Sequence, residues 1–363
     1  MSSTTHPEVS NASGLAAELR AILTGAAFAL IEDKGWLRIA GPDATRWLNG
    51  MVTNAVNALA PGEGCYNFLL NAQGRILGDC TIYRDPTPEP PAFLLETDAS
   101  QVEAIQTHLD RFIIMDDVEL VPAPGNERAM LLLGPGAPAI FRDYYRSFRS
   151  AIPSTMPPLR IAFDTEGLDQ SSTPSSSLVT QFEIRGGIDS LSKFAIGKGA
   201  APISSAALEA LRILSGTPRY GVDIRNTDKA HDLPQETAQD GTQSRALHFA
   251  KGCYLGQEIV ERIRSRGSVH RTFAGFVLNG ELPPAGTELS AESQPRPVGE
   301  ITSVAAIPRA VFDPAATPDA APLQIALGYA RREAVLNATD KNAQLTYPGG
   351  TATVAALPFQ LLR

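Results

Sequence analysis

The spacing of apolar residues predicts a mixed α and β structure for the first third of the chain. Apolar residues recur at helical intervals across residues 15–29, which predicts a short helix, and residues 35–40 are typical of a strand. A helix around Trp47 is predicted next. Residues 64–83 then hold two strand-like runs separated by Asn-Ala-Gln-Gly, which predicts a β-hairpin.

The pattern changes twice further along the chain. A helix at residues 101–112 and a strand after it are predicted to close the first unit, and Met130 begins a second unit with a short strand and a helix. Another helix is predicted at residues 204–214. From residue 271 onward, short strand-like runs are separated by loops rich in Pro, Gly, Ser and Ala. Such a segment is typical of a small all-β barrel or sandwich.

Between these units lies a stretch whose side-chain pattern predicts a loop followed by a helix. Two sets of residues repeat at intervals of four, one apolar and one charged: Leu255, Ile259 and Ile263, and Glu258, Arg262 and Arg266. Glu258 near the amino-terminal end suits the helix dipole, and its order with Arg262 is the better one for an ion pair. The preceding loop contains Gly252 and Gly256, and glycines let a ligand or a second chain approach closely.

Composition and charge limit the classes of function. The 363 residues include 43% hydrophobic and 19% charged residues, which is ordinary for a soluble globular chain of two or three domains. A net charge of -8 argues against non-specific nucleic-acid binding by the bulk surface. The polar start has no secretory signal, and no apolar run is long enough to span a membrane. These features predict a cytoplasmic protein.

Cysteine is the candidate nucleophile or ligand. The chain has Cys65, Cys80 and Cys253, far apart and without a Cys-x-x-Cys pair, which fits a reducing compartment and predicts no metal site. A lone cysteine is most often a small buried hydrophobe. Cys253, however, lies in the glycine-containing loop near Lys251 and a helix start, and both surroundings favour a thiolate if the group is exposed. From the residues alone, a reactive and a structural Cys253 both remain open.

The run Lys-Gly-Cys-Tyr-Leu-Gly-Gln-Glu at residues 251–258 resembles the signature of the YgfZ family, which are folate-binding proteins of the glycine-cleavage T-protein superfamily. Residues 41–54 and 211–224 resemble the same family. The resemblance implies an α+β fold with three lobes around a central channel, namely two α+β lobes with antiparallel sheets and a C-terminal β-barrel. The first lobe is implied to comprise residues 14–125 together with about 205–270, which return to it. The second lobe is implied at 126–204 and the barrel at 271–363.

The resemblance also implies a functional role for the motif. The cysteine is the hallmark of the family, so Cys253 is the implied catalytic residue, framed by Lys251, Gly252, Tyr254, Gly256, Gln257 and Glu258. The implied cofactor is tetrahydrofolate or a derivative. The implied partners are iron–sulfur client enzymes, including enzymes that modify tRNA.

Two positions depart from the T-protein pattern. The relatives carry two adjacent acidic residues in the hairpin, whereas here only Asp79 remains as a second catalytic candidate. The glutamate that binds the pterin ring is replaced by Leu214, which cannot accept those hydrogen bonds. Glu236 and Tyr220 are the remaining folate-binding candidates. The alternatives are a solvated edge-strand position for Asp79 and a solvated loop for Glu236.

The region around the motif is locally basic. Residues 251–271 contain five basic residues against two acidic ones, which predicts an anion site with Arg262 and Arg266 for a folate tail or a phosphate. The alternative is a solvated helix whose arginines pair with Glu258 and Glu261.

The sequence is therefore consistent with three functions. The first is a YgfZ-like, folate-linked factor that supports iron–sulfur enzymes through Cys253. The second is a folate-dependent aminomethyltransferase, against which the single Asp79 and Leu214 count. The third is a catalytically silent scaffold of the same fold.

Overall fold

A computed structural model describes residues 12–85, 90–122, 129–148, 161–163, 179, 181–185, 188–225, 246–266, 271–292, 294–313, 315–317, 319–341 and 344–359. The first half of the elements, in chain order, is α1 (Ala12–Thr24), β1 (Ala27–Ile31), β2 (Lys34–Ala40), α2 (Ala44–Met51), β3 (Gly64–Leu70), β4 (Ile76–Arg84), β5 (Phe93–Asp98), α3 (Val102–Asp110), β6 (Glu119–Pro122), β7 (Ala129–Leu133), α4 (Ala137–Phe148), β8 (Ile161–Phe163) and β9 (Gln181–Arg185). The remainder is α5 (Ile188–Gly197), β10 (Ala201–Pro202), α6 (Ser205–Leu214), α7 (Gln257–Arg266), β11 (Arg271–Gly280), β12 (Glu288–Ala291), β13 (Gly299–Ile307), β14 (Leu323–Arg331), α8 (Arg332–Lys341), β15 (Leu345–Tyr347) and β16 (Gly350–Ala355).

The first sheet is antiparallel and has the strand order β3-β4-β5-β2-β6. In β4 the residues alternate between buried and half-buried positions, as a period of two requires when one face packs on a core. Cys80 faces an apolar cluster that also contains Trp47 and Leu48 of α2. Asp79, the residue before Cys80 in β4, therefore points to the opposite face.

The second sheet shows that the expected helix at residues 15–29 is wrong in its last part. Helix α1 ends at Thr24, the amide of Gly25 bonds back to the carbonyl of Ala21, and the run that follows forms β1. Strand β1 pairs antiparallel with β7 and parallel with β10, within the order β10-β1-β7-β9-β8. The physical reason is that this alanine-rich apolar run suits a helix and a strand equally, and burial in the sheet decides between them.

The C-terminal unit is a closed barrel with the order β11-β14-β13-β12-β15-β16. The predicted α+β fold with a terminal β-barrel is confirmed. The four-residue strand β12 and the polar helix α8 were not predicted, because neither carries an apolar repeat long enough to be recognised. The expected limits of the lobes stay a prediction, although pairing assigns β1 to the second sheet rather than to the first.

One apolar cluster joins the three units. It contains Phe68 from the hairpin, Leu214 from α6, Tyr254 from the motif and Tyr329 from the barrel. The motif at residues 251–258 thus lies where the units meet, so its position depends on the whole fold.

Candidate functional site

The motif loop is attached to the end of α2 by backbone hydrogen bonds. The amide of Leu255 donates to the carbonyl of Gly50 at 3.0 Å, and the amide of His248 donates to the carbonyl of Thr53 at 3.1 Å. The Thr53 hydroxyl in turn donates to the carbonyl of Ala246 at 2.6 Å. Two segments about 200 residues apart, both of which resemble the same family, are therefore in direct contact.

Lys251 closes this attachment. Its ammonium donates to the carbonyl oxygens of Asn49, Val52 and Asn54 at 2.7, 2.6 and 2.7 Å. The last carbonyls of a helix have no partner within the helix, and a cation is favourable there. The ammonium also lies 5.2 Å from the ring centroid of Tyr254. Burial lowers the pKa of Lys251 to about 7, whereas the three carbonyl acceptors favour the charged form.

Lys251 also interacts with a thiol outside the motif. The thiol that Lys251 affects electrostatically is Cys65 in β3. Burial raises the pKa of Cys65 to about 11, while Asn67, which donates to its sulfur at 3.3 Å, and Lys251 act in the opposite direction. Burial also raises the pKa of Cys80. Both thiols are therefore protonated at neutral pH; Cys80 is buried and Cys65 is half-buried.

Cys253 has the opposite environment. It is the exposed cysteine of the three, and the neighbouring Gly252 is also exposed. Apart from the two chain neighbours of Gly252, no heavy atom of the described residues lies within 4 Å of where a Cβ would lie. Gly256, by contrast, has a φ of +84°, and a Cβ there would lie 2.5 Å from the carbonyl oxygen of Asn71. The loop is therefore fixed at Lys251 and Gly256 and open around the thiol between them.

The remaining motif residues support the loop or face solvent. Tyr254 is 7% exposed, and its hydroxyl has no hydrogen-bond partner among the described residues. Its amide donates to the side-chain oxygen of Gln257, the first residue of α7, at 3.3 Å. Glu258 is 90% exposed at its side chain and lies 3.7 Å from Arg262. The predicted helical ion pair is present, at a distance that contributes little stability in water.

The basic residues of α7 are partly engaged within the helix. Besides the pair of Arg262, Arg264 lies 3.7 Å from Glu261 and its guanidinium stacks over the ring of Phe249 at 4.1 Å. Arg266 ends α7, and the placement of its side chain lies outside the described residues. The anion site therefore stays a prediction, with Arg262 as its described member.

Asp79 is half-buried, and its carboxylate is held by neutral donors. The Tyr66 hydroxyl donates to one oxygen at 2.7 Å, and the side-chain amide of Gln101 donates to the other at 3.0 Å. The Tyr220 hydroxyl lies nearby and donates to the carbonyl of Leu77 at 2.6 Å. Burial and the charge of Asp79 raise the pKa of Tyr220. Asp79 and Tyr220 are thus brought together, but each already has a partner within the protein.

Leu214 occupies the core. Its side chain is 2% exposed within the central apolar cluster, and its carbonyl accepts from the amide of Phe359 at 3.0 Å. Glu236 lies outside the described residues. Because the leucine supplies no acceptor and Asp79 is engaged by two donors, the described residues fit the polar edge of a pterin poorly.

A buried ionic network near Leu214 was missed by the sequence reasoning. Asp223 has no exposed surface and accepts from Arg212 at 2.6 Å and from the Ser303 hydroxyl of β13 at 2.7 Å. Arg212 also forms a two-bond contact with Glu209 at 2.9 and 2.7 Å. The signal in the sequence was a carboxylate between Val222 and Ile224, which is costly to bury unless it is paired. The network joins α6 to the barrel and serves the fold.

The described residues contain no group of three or more His, Cys, Asp or Glu side chains arranged to hold a metal ion. In that part of the chain, no helix has both the length and the apolar character needed to cross a membrane.

Comparison with known proteins supports the fold. The GCVT N-terminal domain family matches residues 5–153. The crystal structure of the glycine cleavage system aminomethyltransferase T from Bartonella henselae superposes with a TM-score of 0.69 over 96% of this chain and 90% of that chain, at 18% identity. The protein therefore has the T-protein fold.

Similar curated proteins are described as iron–sulfur cluster assembly factors. The mitochondrial IBA57 homologues of Pyricularia oryzae and Neurospora crassa are 28% and 29% identical to this chain over 70% and 67% of its length. The chain spans 58% and 51% of those two proteins. Mouse mitochondrial IBA57 is 26% identical over 72% of this chain and 69% of its own length. The expected cytoplasmic location is contradicted, because these relatives are named as mitochondrial proteins.

Proposed function

We propose that this protein supports iron–sulfur cluster assembly and that Cys253 is the residue that contacts the cluster or the client. The observation that carries the proposal is the exposed thiol in a loop that Lys251 anchors through three carbonyl bonds. The similarity to IBA57 proteins supports the same assignment.

The chemistry follows from what one exposed thiol can do. A thiolate is a good ligand for the iron of a cluster, which here is cargo rather than a resident group. Because a cluster takes four ligands, Cys253 can supply one, and the others must come from a partner protein or from small thiols. The anchored loop holds the thiol in place, and the open space beside Gly252 admits a bulky group.

Folate-dependent aminomethyl transfer is less well supported. The pterin-facing position is Leu214 in the core, and Asp79, the single acidic residue kept from the hairpin pair, is engaged by Tyr66 and Gln101. We retain a YgfZ-like link to tetrahydrofolate and to tRNA-modifying iron–sulfur enzymes as the finer part of the proposal, on the strength of the motif at residues 251–258. Calorimetric titration of tetrahydrofolate into the purified protein tests the folate link, and a titration without heat of binding would contradict that link.

The main test uses a [4Fe–4S] enzyme as reporter. In cells of the source organism that lack the gene, aconitase activity per unit of aconitase protein should fall. Wild-type protein should restore it, and Cys253→Ser should fail although it is folded and equally abundant. Cys65→Ser is the matched control, since it removes a half-buried thiol outside the motif, and should restore the activity. Full restoration by Cys253→Ser would instead indicate the silent scaffold.

A further inference from the structure

An apolar tip protrudes from the loop between α3 and β6. Ile114 is 82% exposed and Met115 is 93% exposed. The described residues include seven exposed large hydrophobic side chains, and three of the seven are Ile114, Met115 and Val121. Single exposed apolar residues are ordinary, whereas two adjacent ones that are almost fully exposed mark a contact surface.

The tip is held rigidly rather than left loose. Four contacts with α2 and the turn before it fix its base: the Trp47 indole to the carbonyl of Phe112 at 3.1 Å, Arg46 to Asp116 at 2.6 Å, the amide of Asp117 to the Asp43 carboxylate at 2.9 Å, and the amide of Asp43 to the carbonyl of Asp117 at 3.3 Å. At Gly41 a Cβ would lie 2.2 Å from that same carbonyl oxygen. A loop ordered in advance loses little conformational entropy when a partner binds.

The charges around the tip define the partner. Residues 110–121 contain four carboxylates and one arginine, and Asp110, Asp117 and Glu119 are exposed. This acidic rim repels anionic lipid and nucleic acid. It complements a protein surface on which lysine or arginine residues surround an apolar pocket. Methionine suits such a pocket because its flexible, polarizable side chain adapts to the partner.

The tip and the Cys253 loop share one helix. The tip is bonded to residues at the start of α2, and the Cys253 loop is bonded to residues at its end. Eight residues of helix span about 12 Å. The geometry points to Ile114 and Met115 as the docking surface for a partner protein that carries a basic-rimmed apolar pocket, seated within reach of Cys253. The surface is independent of what Cys253 does.

Site-specific photo-cross-linking in the source cells tests the docking surface. Benzoylphenylalanine in place of Met115 should cross-link to one protein, at a peptide that combines apolar residues with lysine or arginine. The same amino acid in place of Leu336, which is 50% exposed on α8, is the control and should not capture that protein. Cross-links no stronger than those of the control, or cross-links to a second copy of this chain, would overturn the proposal.

The captured protein is then purified and titrated against variants. The double change Ile114→Ser and Met115→Ser should weaken binding at least tenfold, and Leu336→Ser should leave it unchanged. Because the rim is acidic and the expected partner is basic, raising the salt concentration should weaken the binding of the wild-type protein. An affinity that is the same for the double variant and the wild type would contradict the docking surface even if the cross-link forms.

Discussion

Cys253 on one side, and Asp79 and Leu214 on the other, occupy positions where the family resemblance implies function, but the fold gives them opposite environments. The Asp79 carboxylate accepts from Tyr66 and Gln101, and Leu214 is buried in the central core. The Cys253 thiol is exposed, and the contacts of its loop are made by its neighbours instead. Within the described part of the chain, the hydrogen bonds that fix this loop are made by Lys251 and Leu255 and not by the Cys253 thiol. That is the arrangement expected of a group that meets another molecule.

The largest expected effect tests the core side of this comparison. Leu214→Glu should lower the free energy of unfolding by about 4 kcal/mol, because it buries a carboxylate without a partner. Ser205→Glu, on the exposed first turn of the same helix, should change it by less than about 0.5 kcal/mol. Urea denaturation of both variants measures the difference. A Leu214→Glu protein as stable as the wild type would mean that this position faces a polar pocket.

The next effect tests the anchor of the thiol loop. Lys251→Met keeps most of the side-chain volume but leaves three carbonyls without their donor, and should cost about 3 kcal/mol. Lys193→Met, at an exposed position on α5, is the control and should be nearly neutral. If both changes had equal effects in urea denaturation, the ammonium would not be holding the loop.

The two motif glycines should differ by a smaller amount. Gly256→Ala forces a side chain into a φ of +84° and against Asn71, which should cost about 2 kcal/mol. Gly252→Ala meets open space and should cost less than about 0.5 kcal/mol. A loss of aconitase restoration by Gly252→Ala without a loss of stability would show that the space beside Cys253 is used in function.

The two candidate catalytic residues, Asp79 and Cys253, should differ in how much each contributes to the free energy of unfolding. Asp79→Asn puts an amide where two donors converge and should lower the free energy of unfolding by about 1 kcal/mol. Cys253→Ser should leave it unchanged, since the thiol is exposed. Thermal unfolding of the two variants side by side checks this, and a destabilised Cys253→Ser protein would argue for a structural thiol.

The smallest perturbation is alkylation with iodoacetamide. At pH 8 the native protein should be labelled at Cys253 alone, with Cys65 and Cys80 labelled after unfolding, as peptide mass spectrometry will show.

Because burial raises the pKa of Cys65 from 9.0 to about 11, its folded form holds the proton more tightly than its unfolded form. The stability from this group is therefore complete below about pH 9 and is lost as the pH rises towards 11. Labelling of native Cys65 at pH 8 would contradict the raised pKa of this thiol.

Several elements were predictable because local periodicity and tertiary packing agree. The hairpin of β3 and β4, helix α6 and the long barrel strands follow their apolar repeats closely. Strand β1 was mispredicted because an alanine-rich run has no strong preference of its own. The loop with Ile114 and Met115 gave no signal, since an apolar pair in sequence is ordinarily a core pair.

The sequence by itself determined the fold class, the motif loop with its following helix, and the position of Cys253 between two glycines of that loop. Only the tertiary structure decided that Lys251 bonds to the end of α2, that Leu214 is a core residue and that Ile114 and Met115 face solvent. The physical reason is that periodicity reports which face of an element is apolar, whereas hydrogen-bond partners and exposure depend on segments that are distant in the chain, such as the pairs Arg46–Asp116 and Asn49–Lys251.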